Sequence, residues 1–250
     1  MFSRAINAVR RATRWRMAWV QRDYEQRVAS GKFSYETKIL NQAYAPWATD
    51  ANFCEVYRLA RANTLVDVAR CYELWDLLHG LNNVPGAVVE VGVWRGGTGA
   101  ILACALMRTN PKEKIYLCDT FSGVVKAGSK DRTYRGGEHA DTSVEDVESL
   151  LKKLSLTNAV LLKGMFPEET SSLIPAGPIA LCHIDVDVYQ SAKDTVDWVC
   201  SRISPGGALV FDDYGFPTCV GVTSYVHELK AKGGWLSIYN LNGHAILIKR

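Results

Sequence analysis

AVVEVGVWRGGTGAILACALM, residues 87–107, decides the fold. A β-branched run over 87–93 reads as a short buried strand. A glycine-rich turn follows, and small and apolar residues at helical spacing over 97–107 read as a helix. The same pairing recurs towards the C-terminus. Strands are expected at 114–121, 159–166, 179–187 and 208–213. Helices are expected at 142–154, 167–173, 191–203 and 219–232, the first capped by Thr142 or Ser143. Two more strands, 235–241 and 244–250, are joined by Asn242-Gly243, a hairpin turn signal. Short apolar strands alternating with helices predict an α/β fold. Its Rossmann-like sheet has seven mostly parallel strands, covered on both faces, and ends in an antiparallel hairpin. This domain is assigned to 81–250. Residues 1–80 read as a helical extension, broken at Gly31 and near Pro46.

Composition narrows the class. With 250 residues, 48% of them hydrophobic, the chain can bury one good core. No apolar run is long enough for a transmembrane helix. Seven scattered cysteines with no C-x-x-C indicate reduced thiols in a cytoplasmic protein, not a disulfide framework or a zinc site. The five histidines show no metal-ligand spacing. The net charge of +3 hides an asymmetry: residues 1–22 hold six arginines and no acid, so the remainder is −3. No stripe of basic and aromatic residues runs through the body, so nucleic acid is not an expected partner.

In an open parallel sheet, ligands bind at the carboxyl ends of the strands. The glycine turn lies at one such end, with Gly92, Gly96, Gly97 and Gly99. Trp94 fills the second glycine position of G-x-G-x-x-G, which weakens a nicotinamide or flavin reading. Glu90, two residues before Gly92, makes the pattern E-x-G-x-x-x-G, which resembles the first motif of S-adenosylmethionine (SAM) methyltransferases. In that reading Glu90 lies near the ammonium of SAM, and Asp119, closing the second strand, accepts the ribose hydroxyls. Gly92, Trp94, Gly96, Gly97 and Thr98 line the cofactor, with Thr120, Phe121 and Ser122 after the second strand. Gly164, Met165 and Phe166 form an apolar wall beside the adenine. Trp94 and Arg95 either face the carboxylate end of SAM or pack against N-terminal helices.

Four aspartates sit at two further strand ends, in HIDVDVY (183–189) and FDDY (211–214). Asp185 and Asp187, two apart, share a face if the chain stays extended. Asp212 and Asp213 cannot, so at least one lies on the turn leaving the strand. Converging carboxylates repel unless a cation sits among them. Oxygen-only ligands favour Mg²⁺, with Mn²⁺ or Ca²⁺ as alternatives. Helix caps and surface turns are the bland alternative, with Asp187 capping the helix near Tyr189.

With both motifs placed, residues 57–248 resemble the macrocin-type sugar O-methyltransferases, the TylF/MycF-like family. The matching stretches are VVEVGVWRGGTG, Tyr134–Gly136–Gly137 running into DTSVEDV, LLKGMFPEE, HIDVDVY and SPGGALVFDDY. The resemblance implies a class I SAM methyltransferase sheet and SAM- and Mg²⁺-dependent methylation of a sugar hydroxyl. It implies Asp185, Asp212 and Asp213 as metal ligands, Asp185 also bordering the cofactor, and Asp187 as general base. Val186 departs from the glycine common at that position. The acceptor is then a sugar-bearing small molecule or glycan, and a homo-oligomer is expected.

Three rival readings remain open. Asp185-Val186-Asp187 also fits the D-x-D element of a metal-dependent glycosyltransferase. A catechol-type O-methyltransferase uses similar acids. A non-catalytic SAM-binding subunit would have no reason to keep four aspartates. The segment 122–141 is long for its place and reads as a lid over the site or a plain loop, with His139 facing substrate or solvent. The basic arm, 1–22, docks on another subunit, stays solvated, touches an anionic membrane surface or imitates a transit peptide.

Overall fold

The computed structural model describes residues 44–250. The basic arm and most of the expected N-terminal extension lie outside them. Residues Pro46–Arg250 form one compact unit. Two helices come first, α1 (Ala51–Ala60) and α2 (Val68–Gly80). Each opens on an aspartate. Asp50 accepts from Phe53 N at 3.0 Å, and Asp67 accepts from Ala69 N and Arg70 N at 2.9 and 3.2 Å, pairing donors that a helix start leaves free.

The alternating pattern then follows: β1 (Ala87–Val91), α3 (Gly97–Thr109), β2 (Ile115–Asp119), α4 (Val144–Lys153), β3 (Ala159–Lys163), β4 (Ile179–Ile184), α5 (Tyr189–Val199), β5 (Ile203–Phe211), α6 (Val220–Lys232), β6 (Trp235–Tyr239) and β7 (Ala245–Lys249). Ser143, not Thr142, caps α4, accepting from Asp146 N at 3.1 Å. The expected helix over 167–173 is reduced to turns and a single 3₁₀ turn at Ser171–Leu173. Ser204-Pro205-Gly206-Gly207, left between the helix expected to 203 and the strand expected from 208, belongs to β5.

The sheet order is β3-β2-β1-β4-β5-β7-β6, and β7 runs antiparallel to both of its neighbours. Alternation along the strands divides the core. Val88, Leu117, Leu181, Val210 and Ile246 face a layer built from α1–α4. Val89, Cys118, Cys182, Leu209 and Leu247 face α5 and α6. Residues 97–106 of α3 are all buried, because α1 and α2 cover the side that the sheet does not. This explains the run of small residues after the glycine turn. A Cβ on Gly97 would stand 2.6 Å from Asn63 O, and one on Gly99 would stand 2.5 Å from Glu90 Oε2.

Gly92 marks the closest approach between strand ends. Its φ is +87°, and an added Cβ would lie 1.6 Å from the carbonyl oxygen of Asp185. The β1 and β4 ends meet there backbone to backbone. Gly92→Ala should therefore cost about 2 kcal/mol or more in urea unfolding, since both conformation and space are wrong. Gly177→Ala, with nothing within 4 Å, should stay within about 0.5 kcal/mol.

Candidate active site

The carboxyl ends of β1, β2, β4 and β5 open into a cavity of about 270 Å³. From the glycine turn it is lined by Gly92, Trp94 and Thr98. From β2 come Asp119 and Thr120, and beyond β3 come Gly164 and Phe166. All four aspartates reach it. Six of the residues expected at the cofactor do not line it: Glu90, Gly96, Gly97, Phe121, Ser122 and Met165. Gly96 is the left-handed cap of α3 and Gly97 packs on Asn63, so both shape the turn from behind. Phe121 packs against the helical core, Ser122 is exposed, and Met165 N donates to Glu169 Oε2.

Two carboxylates differ from their expected use. Glu90 is fully buried and turned away from the cavity, with Oε1 2.9 Å from His183 Nδ1. Asp119 lines the cavity, but its oxygens serve the backbone. Val93 N and Trp94 N donate to Oδ2 at 2.7 and 2.9 Å, and Phe121 N donates to Oδ1 at 2.7 Å. It is the clamp of the glycine turn. Trp94, at φ +47°, is held further by Asp141, whose Oδ1 accepts from its indole at 2.9 Å. Arg95 stacks on that indole and pairs with Asp141 at 2.7 Å; it does not line the main cavity but borders a separate hollow with Leu59 of α1 and Asp146 and Leu150 of α4.

Asp185 and Asp187 reach the same side, but not because the strand stays extended. β4 ends at Ile184, and Asp187 is left-handed at φ +64°. Asp213 Oδ2 holds that kink, accepting from Val186 N at 3.2 Å and Asp187 N at 2.7 Å. Asp212 and Asp213 both lie past the end of β5. Asp187 does not cap α5; that place is taken by the buried Asp131, which accepts from Tyr189 N at 2.9 Å.

Three non-glycine residues with positive φ, Trp94, His139 and Asp187, line the cavity. Strained backbone of this kind gathers at functional sites. Asp187 is raised above the usual carboxylate range by burial and by Asp212, against the opposing effects of Tyr134, His139 and the Cys219 thiol. His139 is exposed yet lines the cavity beside Tyr134, ring centroids 6.0 Å apart.

The other acids divide sharply. Burial and the neighbouring carboxylates push Asp185 and Asp213 well above their usual range. Burial also opposes the charge on Asp212, but His183, His244 and Arg70 outweigh it and hold this carboxyl well below that range. Arg70, from α2, binds Asp212 Oδ2, while His244 Nε2 lies 2.9 Å from Oδ1. Sequence reasoning missed Arg70, His183, His244, Tyr134's neighbour Cys219 and Asp131. Only His183 lies inside a quoted motif, as the first residue of HIDVDVY.

Ligand oxygens of Asp185, Asp212 and Asp213 lie within 4.8 Å of one another. Among the described residues no hydrogen-bond donor reaches the Asp185 carboxylate. The set fits a hard dication at Asp185 and Asp213, whose repulsion it would relieve; Asp212 would share oxygens already paired.

The segment 122–141 is bolted down. Lys126 Nζ pairs with Glu168 at 2.6 Å and Asp194 at 2.8 Å, Lys130 pairs with Glu228, and Ser191 Oγ donates to Val125 O. Tyr134 of this segment reaches the cavity. Among the described residues no helix is long and apolar enough to cross a membrane.

A glycine turn at β1, acids at the next strand ends and the terminal antiparallel insertion define a Rossmann-like methyltransferase. The model of the macrocin O-methyltransferase (TylF) family matches residues 51–235, and the chain belongs to that family. The 8-demethyl-8-(2,3-dimethoxy-alpha-L-rhamnosyl)-tetracenomycin-C 4'-O-methyltransferase of Streptomyces olivaceus is 29% identical over 185 residues, 69% of each chain. Mycinamicin III 3''-O-methyltransferase of Micromonospora griseorubida is 27% identical over 187 residues, 69% of this chain and 72% of its own. Among solved structures, the O-methyltransferase NovP matches with a TM-score of 0.66 at 26% identity, covering 78% of this chain and 87% of its own. A Bacillus cereus O-methyltransferase solved with SAH shares the fold at TM-score 0.53 and 15% identity, covering 80% and 91%. Membership of an O-methyltransferase family favours methyl transfer over the D-x-D glycosyltransferase reading.

The raised carboxyls predict a pH signature. A folded pKa above the unfolded value means the folded state holds protons longer. Metal-free stability should fall as pH rises from the ordinary carboxylate range through the folded pKa values of Asp185 and Asp213. Asp185→Asn should flatten that decline in a series of melting curves, and should be the more stable protein at the alkaline end.

Proposed function

We propose that this protein transfers a methyl group from SAM to a sugar hydroxyl, with Mg²⁺ as helper and Asp187 as general base. The observation that carries the reading is the position of Asp187, a half-buried carboxylate kinked into the cavity beside the Asp185–Asp212–Asp213 set. The names of the relatives support a sugar-bearing acceptor.

SAM supplies an electrophilic methyl group. Gly92, Trp94, Thr120, Gly164 and Phe166, all lining the cavity, are the residues that would hold SAM. Asp185, Asp213 and a shared Asp212 would hold Mg²⁺, which when bound would supply the Lewis acidity that makes a sugar hydroxyl acidic enough to react near neutral pH. The rest falls to the chain. Asp187 accepts the hydroxyl proton, and its raised pKa suits a base working closer to neutrality than an ordinary carboxylate. Tyr134 and His139 steady the charged form of Asp187. Asp213, accepting two backbone N–H groups, fixes the direction in which Asp187 points. The anchored 122–141 segment keeps water from the reacting oxygen.

S-adenosylhomocysteine at about 100 times its Kd should stabilise the protein by about 2.7 kcal/mol in a thermal-shift experiment. Asp187→Asn should keep that shift while turnover with SAM and a glycoside acceptor falls roughly 10²–10⁴-fold. Retained turnover in this variant would remove Asp187 as the base. Absence of the thermal shift in the wild type would remove SAM.

A further inference from the structure

Glu90 in β1, His183 in β4, Asp212 after β5 and His244 before β7 sit at the ends of four neighbouring strands. They follow Val88, Leu181 and Val210, and precede Ile246, at two-residue spacing. All therefore lie on the helix-covered face that holds those four residues. Glu90 and His183 are paired in register. Glu90, His183 and His244 are fully buried, and Asp212 is 5% exposed.

The two histidines are arranged alike. His183 Nδ1 is 2.9 Å from Glu90 Oε1, and His244 Nδ1 is bound to Glu73 Oε2. Each ring thereby turns its Nε2 towards one oxygen, Asp212 Oδ1, at 3.8 Å from His183 and 2.9 Å from His244. The His183 Nε2 makes no hydrogen bond, although it is buried. A buried polar atom left this way is costly and calls for a partner. One ligand atom from each of His183, Asp212 and His244 lies within 4.8 Å of the other two.

We propose that His183, His244 and Asp212 form a buried site for one divalent transition-metal ion of the zinc class. Two imidazole nitrogens and one carboxylate oxygen suit Zn²⁺, Co²⁺ or Fe²⁺, whereas Mg²⁺ prefers oxygen alone. A carboxylate on the far nitrogen of each ring is the outer support that metal-bound histidines ordinarily carry. Bonds of about 2.0–2.1 Å put the ligand atoms of a tetrahedral site roughly 3.3 Å apart, between the two observed distances to Asp212 Oδ1. The site is chemically distinct from the oxygen-only set, which it meets at Asp212. An ion there would give His183 Nε2 its partner and pin the ends of β4 and β5 to the start of β7.

The test uses full-length protein without a histidine tag, stripped of metal by a chelator and titrated with Co²⁺ in excess Mg²⁺. One equivalent of Co²⁺ should bind, with visible absorption bands that Zn²⁺ abolishes. His244→Gln should weaken this binding at least tenfold, while Asp185→Asn should leave it intact. X-ray absorption on the zinc-loaded wild type should show two imidazole ligands, a reading that stands even if the histidine variant fails to fold. No Co²⁺ binding, oxygen-only coordination, or bands lost in Asp185→Asn but kept in His244→Gln would each overturn the proposal. The first of these would leave the cluster as a hydrogen-bonded relay.

Discussion

Everything at the carboxyl edge of the sheet is arranged around the buried charge of Asp212. A carboxylate with so little solvent must be compensated from within. Arg70 reaches it from a helix that precedes the sheet, and His244 reaches it from the residue just before β7. The compensation thus joins segments more than 140 residues apart. Burial makes Asp185 and Asp213 hold their protons more tightly, and the neighbouring carboxylates, the charged Asp212 among them, add to it. Burial and one fixed charge together shape the protonation of this edge, and with it the appetite of that edge for a cation.

The glycine turn depends on a second carboxylate, the half-buried Asp119. Asp119 spends both oxygens on the backbone of the turn and of Phe121, the second residue past β2. Glycines remove the steric obstacle to the turn, and the carboxylate selects one conformation from those that glycine allows. Trp94 then holds an unfavourable φ because its amide, its indole and its carbonyl are all engaged. Flexibility in the sequence has become rigidity in the fold.

The architecture was legible because it rests on periodicity. Strand alternation divides the two core layers as the pattern required, and the terminal hairpin inserts its last strand antiparallel. The site was legible only where a motif is local. Asp185 and Asp187 do converge, but through a left-handed kink that an extended-strand argument could not contain. Glu90 was read from its distance to Gly92, whereas its partner was chosen by the register of β1 against β4. His183 and His244 stand 61 residues apart, so no spacing rule connects them. Their meeting is a product of strand order, which places β7 directly beside β5. Asp131 was hidden for the opposite reason: it is one acid in a polar segment, and only the closeness of Gly221 and Tyr189 makes it a buried anchor.

The order β5-β7-β6 has a consequence for the chain as it leaves the ribosome. β6 is synthesised before β7 but touches the sheet only through it. Until β7 emerges, the long apolar β5 presents an unpaired edge, and β6 waits without a partner. Such an edge is a template for pairing with other chains. The same late strand brings His244 to Asp212. The emergence of β7 therefore closes the vulnerable edge and completes the polar cluster in one event.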